Sequence, residues 1–371
     1  MLIGVPKEIK NHEYRVGLIP SSVRELILQG HEVLVETNAG EGIGISDQTY
    51  QSKGAQIVTQ PEAIFEQADM IIKVKEPQPN ECQMLRPGQV LFTFLHLAPD
   101  PEQARLLQES GAIAIAYETV TDDTGKLPLL APMSEVAGRL SVQAGAHCLE
   151  KARGGSGLLL GGVPGVPSGK VLVIGGGVVG THAIRMAIGM EAQVTVIDKS
   201  LERLRELDFE FSSKLNTIYA TQQAVEEYIA DADLVVGAVL VPGATAPKLV
   251  TRSMLKTMRQ GSVMVDVAID QGGCFETSRA TTHDDPIYVE EGIVHYCVAN
   301  MPGAVSRTST FALNNATLPH VLNLANKGYQ QALLDDQHLL NGLNICQGQL
   351  TNEAVAHALE QDYITPQQAV N

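Results

Sequence analysis

A chain of 371 residues, 44% hydrophobic and 18% charged, is long enough for two domains with their own cores and too apolar to stay disordered. Its 26 basic against 42 acidic residues give a formal net charge of −16, which repels nucleic acid phosphates and anionic membrane surfaces. Five cysteines, odd in number and never spaced C-x-x-C, argue against a disulfide framework and a zinc site and point to a reducing compartment.

The first apolar run, Leu2–Val5, reads as a strand, and charges follow it at once. No later stretch approaches the ~18 apolar residues of a membrane span, so a cytoplasmic protein is expected. Ser22-Val-Arg-Glu25 has a capping-box spacing and opens a helix that should stop near Gly30. Strands are expected at Glu32–Glu36, Met70–Lys75, Gln89–Leu95 and Ala112–Tyr117, alternating with amphipathic stretches as in a parallel sheet.

A helix over Glu135–Arg153 leads into the segment GGSGLLLGGVPGVPSGK, Gly154 to Lys170, a structured loop before a second domain. Strand Val171–Ile174, a glycine turn, a helix through Met190 and strand Gln193–Ile197 follow. Further strands are expected at Leu234–Ala238, Val263–Ala268 and Ile293–Val298, which makes a second doubly wound sheet. Beyond Asn300 the chain reads as helical and polar with no strong strand, ending in a weakly ordered tail, QDYITPQQAVN.

In VLVIGGGVVGTHAIRMA the strand delivers Gly175 to a tight turn, Gly177 to the point where backbone approaches a pyrophosphate, and Gly180 to the helix–strand contact. With 34 glycines in the chain the bare pattern arises by chance roughly 0.3 times, so its context decides. Asp198 closes the next strand, where a carboxylate accepts from the adenosine ribose hydroxyls and repels a 2′-phosphate. NAD is therefore expected over NADP, although Lys199 and Arg203 follow closely.

Ligands of open α/β sheets sit beyond the carboxyl ends of strands, and five polar residues follow predicted strands there: Arg15, Lys75, His96, Asp270 and Asn300. If both domains open onto one cleft, these groups converge. Arg15 offers a planar fork for a carboxylate or serves a surface ion pair. Lys75 is in phase with Lys73, which marks either a cationic sheet face or an edge strand. His96 lies at a cleft rim, suited to proton transfer near neutral pH, or is a satisfied core histidine. Asp270 is an acid/base group or a turn-forming residue before Gln271-Gly272-Gly273. The motifs G-x-S-x-G, H-E-x-x-H and the Walker lysine are absent from the sequence.

The segments GVPKEIKNHEYRVGLIP, AGEGIGISD, KVKEP, FLHLA, APMSEVAGRLSVQAGAHCLEK, VIGGGVVG, VDVAIDQGG and VANMPGAVSRTST, in this order and over nearly the whole chain, resemble the alanine dehydrogenase family. The resemblance implies reversible oxidative deamination of L-alanine to pyruvate and ammonium with NAD. It implies two Rossmann-like doubly wound α/β domains separated by a cleft. It further implies that the substrate domain, residues 1–128 and 305–371, is discontinuous around a NAD-binding domain of residues 129–304, and that the assembly is a homohexamer. Arg15 and Lys75 would bind the carboxylate and carbonyl side of the substrate, and His96 and Asp270 would act as acid/base groups. Asn300 would orient the nicotinamide. Ser134, Val178, Val179, Asp198, Arg203, Val239, Leu240, Val267, Arg279, Val298 and Met301 would line the cofactor together with Gly175, Gly177 and Gly180.

There are two departures from the family pattern, one of them a pair of residues. Ala220 stands where members often carry Ser on the adenine side, and Asn323 with Lys327 cannot form the metal pair of some relatives, so no metal is expected. Related alternatives are a transhydrogenase-like protein, a saccharopine dehydrogenase acting on lysine, and a catalytically silent NAD-binding regulator. Arg15, Lys75, His96 and Asp270 together favour a small-molecule substrate.

Overall fold

Short apolar runs become strands buried on both faces, and the amphipathic stretches between them become the helices that cover those faces. The computed structural model describes residues 1–239 and 246–371. In chain order the strands are β1 (Leu2–Val5), β2 (Glu32–Glu36), β3 (Gln56–Val58), β4 (Met70–Ile72), β5 (Val90–Thr93) and β6 (Ile113–Ala116). They continue with β7 (Lys170–Ile174), β8 (Gln193–Asp198), β9 (Leu215–Tyr219), β10 (Leu234–Gly237), β11 (Val263–Asp266), β12 (Ile287–Glu290) and β13 (Ile293–Tyr296), and end with β14 (Leu343–Cys346) and β15 (Gln349–Leu350).

The chain divides into two compact units, residues 1–133 with 305–371 and residues 134–304. In the first unit the sheet order is β15-β14-β6-β5-β4-β1-β2-β3, parallel from β6 to β3, with β14 antiparallel to β6 and β15 antiparallel to β14. In the second it is β12-β13-β11-β10-β7-β8-β9, parallel except for β12. Both are Rossmann-like: the first strand has the second on one side and the fourth on the other, so strand order reverses between β1 and β4 and between β7 and β10.

Several expectations are corrected. The first helix runs Pro20–Leu28 from Ile19 without a side-chain cap, because Ser22 lies inside it, buried, with its hydroxyl donating to Asn314 Oδ1 at 2.9 Å. It does end before Gly30, whose φ of +85° suits glycine. The helix expected over Glu135–Arg153 runs Ala131–Cys148, with a separate 3-10 turn at Lys151–Arg153. Strands β14 and β15 contradict the strand-free C-terminal stretch, and the supposed loose tail folds as a helix, Pro366–Val370, with a Thr365 capping box and a buried Val370. Strand β4 stops at Ile72, three residues short of Lys75, and it is central in its sheet, which removes the edge-strand reading.

Candidate active site

In the second unit β7 ends in a turn at Gly175, φ +100°, and Gly177 caps the helix Val178–Gly189. Each glycine has its own steric reason. A Cβ on Gly175 would lie 2.8 Å from Ala238 O, just beyond β10, and one on Gly180 would lie 1.9 Å from Gly175 O. A Cβ on Gly177 would meet nothing within 4 Å. A site where a side chain would occupy open space at a helix N-terminus is what a pyrophosphate needs, since N–H groups and the helix dipole favour an anion there.

Asp198 at the end of β8 accepts from Gly176 N at 2.7 Å and from Ser200 N at 2.8 Å. Each carboxylate oxygen has a second lone pair with which to accept a ribose hydroxyl. Arg203 donates to Gly176 O at 2.7 Å and Thr181 Oγ1 at 2.6 Å and pairs with Glu206, so its charge is committed to bracing the glycine turn. Ala220 follows β9 and donates its N–H to Asp198 O at 2.9 Å, which places it beside Asp198 at the same sheet end.

The remaining residues expected at the cofactor gather at the same sheet end. Val239 follows β10, Val267 follows β11, and the half-buried Asn300 follows β13 between buried Val298 and buried Met301. Val178 is exposed and Val179 buried on the first turn after Gly177. Ser134 lies one helical turn before Gly138, whose Cβ position is 2.2 Å from Val179 O, so that helix packs on the first turn after the glycines. Arg279 sits over the Tyr288 ring at 3.8 Å, two residues before Thr281, which bridges to Val298. Leu240 lies outside the described residues.

Asp270 is exposed, in the 3-10 turn Val267–Gln271 beyond β11. The turn-forming acid is Asp266, four residues earlier and fully buried, which accepts from Ala268 N, Cys274 N and Ser278 Oγ at 3.0, 2.9 and 2.5 Å. Burial pushes its carboxyl up, against those donors. Lys248 Nζ donates to the carbonyls of Gly272, Gly273 and Phe275, which fixes the far end of the same loop.

In the first unit Arg15, Lys75 and His96 follow β1, β4 and β5, three neighbouring strands that span the reversal in strand order. Arg15 is 2% exposed, and Glu13 takes its Nε and Nη2 in a bidentate pair, both at 2.6 Å, while Nη1 reaches Met133 Sδ at 3.1 Å. The surface-ion-pair reading of Arg15 is therefore replaced by a buried pair with its own near neighbour. Arg15 lines a cavity of about 480 Å³ formed by residues 7–15 with Asn38, Ala39, Glu41 and Gly42. Lys75 Nζ is 3.8 Å from Glu76 Oε2. Burial pushes the Glu76 carboxyl up, but Lys75 and Lys10 outweigh it and the net shift is downward.

His96 is not a core histidine: its side chain is 42% exposed, parallel to Phe94 at 5.7 Å and 3.8 Å from Glu118. Its φ of +50°, like the +58° of Asn300, is left-handed, a strained state that surrounding bonds must hold. Glu118 supplies that hold, accepting from Leu95 N at 3.1 Å and His96 N at 2.6 Å. Glu13, Glu118 and Asp266 thus orient predicted site residues without having been singled out from the sequence. Their only signal there is an acid near a strand end. Among the described residues no group of His, Cys, Asp and Glu converges to hold a metal, and no helix is long and apolar enough to cross a membrane.

With this geometry, comparisons with known proteins carry weight. Residues 4–137 match the family model "Alanine dehydrogenase/PNT, N-terminal domain" and residues 141–353 its C-terminal counterpart. An alanine dehydrogenase of Halomonas elongata is 58% identical over 98% of both chains, and alanine dehydrogenase 2 of Staphylococcus aureus is 54% identical over the full length of both. An L-alanine dehydrogenase structure superposes with a TM-score of 0.94 at 52% identity, covering 97% of this chain and 99% of that one. A transhydrogenase from Sinorhizobium meliloti follows at 0.82 and 26%, covering 95% and 100%.

Proposed function

The chain belongs to the alanine dehydrogenase/PNT family, and from that premise we propose that it is an L-alanine dehydrogenase using NAD. The reaction is L-alanine, NAD and water to pyruvate, ammonium, NADH and a proton, and its reverse. The observation that carries this is the set of Arg15, Lys75 and His96 beyond β1, β4 and β5, a cation pair and an imidazole suited to a 2-oxo acid. A protein that only bound the dinucleotide would have no use for them.

Bound at the Gly175–Gly180 turn, the dinucleotide supplies the hydride acceptor. Open space at Gly177 and the acid Asp198 fit its pyrophosphate and ribose, and the same acid disfavours a 2′-phosphate. Arg15, its plane set by Glu13, holds the substrate carboxylate. Lys75 polarises the carbonyl that develops at Cα, and His96 moves the proton released as water adds and ammonia leaves. Asp270 serves as the second acid/base group, and Asn300 orients the nicotinamide. The homohexamer and the cytoplasmic setting belong to the same proposal.

Purified protein with NAD and L-alanine should form NADH, seen by absorbance, while L-lysine plus 2-oxoglutarate with NADH should leave the absorbance unchanged. NAD binding without turnover of alanine or pyruvate would instead assign a silent binding protein, and light scattering at other than six subunits would remove the hexamer.

A further inference from the structure

One buried feature of the first unit has no part in the chemistry above. Lys73, just past the end of the central strand β4, is 0% exposed, and its ammonium donates to Glu8 Oε2 at 2.9 Å and Glu81 Oε1 at 2.8 Å, both carboxylates also buried. Burial alone would drive that ammonium to give up its proton, but the two carboxylates outweigh it and hold it charged. Such buried ion groups rarely add stability, because desolvation cancels the attraction and apolar residues of equal volume serve as well. In some proteins such groups fix geometry instead, so what this group fixes is the question.

Each member holds a different segment. Glu8, in the loop after β1 that also carries Arg15, accepts from Val74 N at 2.6 Å and Lys75 N at 3.3 Å through Oε1 while Oε2 holds Lys73. Glu81, on the helix Pro79–Met84, accepts from Gln78 N at 2.8 Å with its other oxygen. From the opposite side Tyr117 Oη donates to Lys73 O at 3.0 Å and Thr93 Oγ1 to Lys75 O at 2.9 Å. The backbone from 73 to 75, which no longer has strand pairing along its whole length, is thereby clamped on every side.

We propose that Glu8, Lys73 and Glu81 are positioning residues that lock the loop after β1 to the end of β4 and so set Lys75 at the substrate carbonyl relative to Arg15. The proposal rests on the dehydrogenase reading and on Lys75 as its substrate-side cation. Both Glu8 oxygens accept from N–H donors, and a glutamine offers one acceptor and one donor. In Glu8→Gln the amide must therefore turn its NH2 toward either the Lys73 ammonium or the Val74 and Lys75 amides, and one clamp opens.

The test is steady-state reductive amination of pyruvate by the full-length protein, with thermal melting alongside. For Glu8→Gln, kcat/KM for pyruvate should fall about 10- to 100-fold, the scale of a misplacement near 1 Å. KM for NADH should stay within about twofold, because an independent site is untouched. The uncharged triple variant Glu8→Gln/Lys73→Met/Glu81→Gln should melt above Glu8→Gln, since no buried charge is left short of a partner, and show the same loss, which separates position from stability. In a Lys75→Met background Glu8→Gln should cost under about twofold more, since the group it positions is gone.

Unchanged kcat/KM in Glu8→Gln, an equal rise in KM for NADH, or a full multiplicative loss on top of Lys75→Met would overturn the positioning role. Wild-type protein inert toward both pyruvate and alanine would overturn the dehydrogenase reading itself, and the positioning role with it.

Discussion

Gly177 and Gly180 stand three residues apart in one motif, yet alanine at each should fail in a different way. At Gly180 the new Cβ falls 1.9 Å from Gly175 O, where 3.0 Å is the closest approach real Cβ atoms show, so helix and turn must separate by the difference, about 1.1 Å. Both atoms belong to backbone, so no side chain can swing aside. Overpacking of this kind costs about 1–3 kcal/mol, and at roughly 2–4 °C per kcal/mol for a domain of this size a melting temperature several degrees lower is expected.

At Gly177 the Cβ enters empty space and φ is −66°, which alanine accepts, so melting should stay within about 1 kcal/mol of wild type. The same methyl projects where the pyrophosphate is proposed to lie. KM for NAD should then rise at least about tenfold, equivalent to about 1.4 kcal/mol of lost binding. Differential scanning fluorimetry and NAD titration at saturating alanine measure both quantities. A Gly177→Ala protein with wild-type KM for NAD, or one that melts as low as Gly180→Ala, would refute the division of labour.

Asp198→Ser should raise kcat/KM with NADP relative to NAD by about tenfold or more, as repulsion of the 2′-phosphate is removed; an unchanged ratio would count against Asp198 as the selector. His96→Ala should lower turnover by about 100-fold or more without shifting the melt, because the side chain is exposed, and full turnover would end its acid/base role. Asn314 is buried and bonds Ile19 N, Ser22 Oγ and Gly17 O, so Asn314→Ala should destabilise by about 2–4 kcal/mol, read by urea unfolding. Burial holds His295 and His320 below the ordinary 6.5 of histidine. The unfolded chain binds those protons first, so their stabilisation is complete above about pH 6.5 and lost as pH falls below it, at most about 1.4 kcal/mol per pH unit and group. A double His295→Gln/His320→Gln variant should flatten that slope, and an unaltered slope would assign it to other groups.

The glycine turn proposed to hold the cofactor was legible because its information is local. Gly175, Gly177, Gly180 and Asp198 occupy one strand, turn, helix and strand, and their spacing alone puts them at one sheet end. Positions after apolar runs likewise picked out Arg15, Lys75 and His96, since the end of a buried strand is visible as the end of its apolar run. Strands β14 and β15 were not legible: LNIC and QL are too short to signal anything, and they exist because β14 pairs onto β6, more than 200 residues earlier, and β15 pairs onto β14.

Lys73 and Lys75 make the same point at one site. Two residues apart, they share a strand phase and look alike as a pattern. Only tertiary structure gave them different fates, because it brought Glu8 and Glu81 to Lys73 and buried all three, while Lys75 stays half-buried with Glu76 3.8 Å away. The sequence by itself determined that the chain forms two doubly wound sheets and where the glycine turn lies, since periodicity and spacing are properties of neighbours along the chain. Which charges are neutralised, which histidine is exposed and which acid shapes the Asp270 turn are decided by partners distant in sequence, and electrostatic energy depends on distance and burial in space.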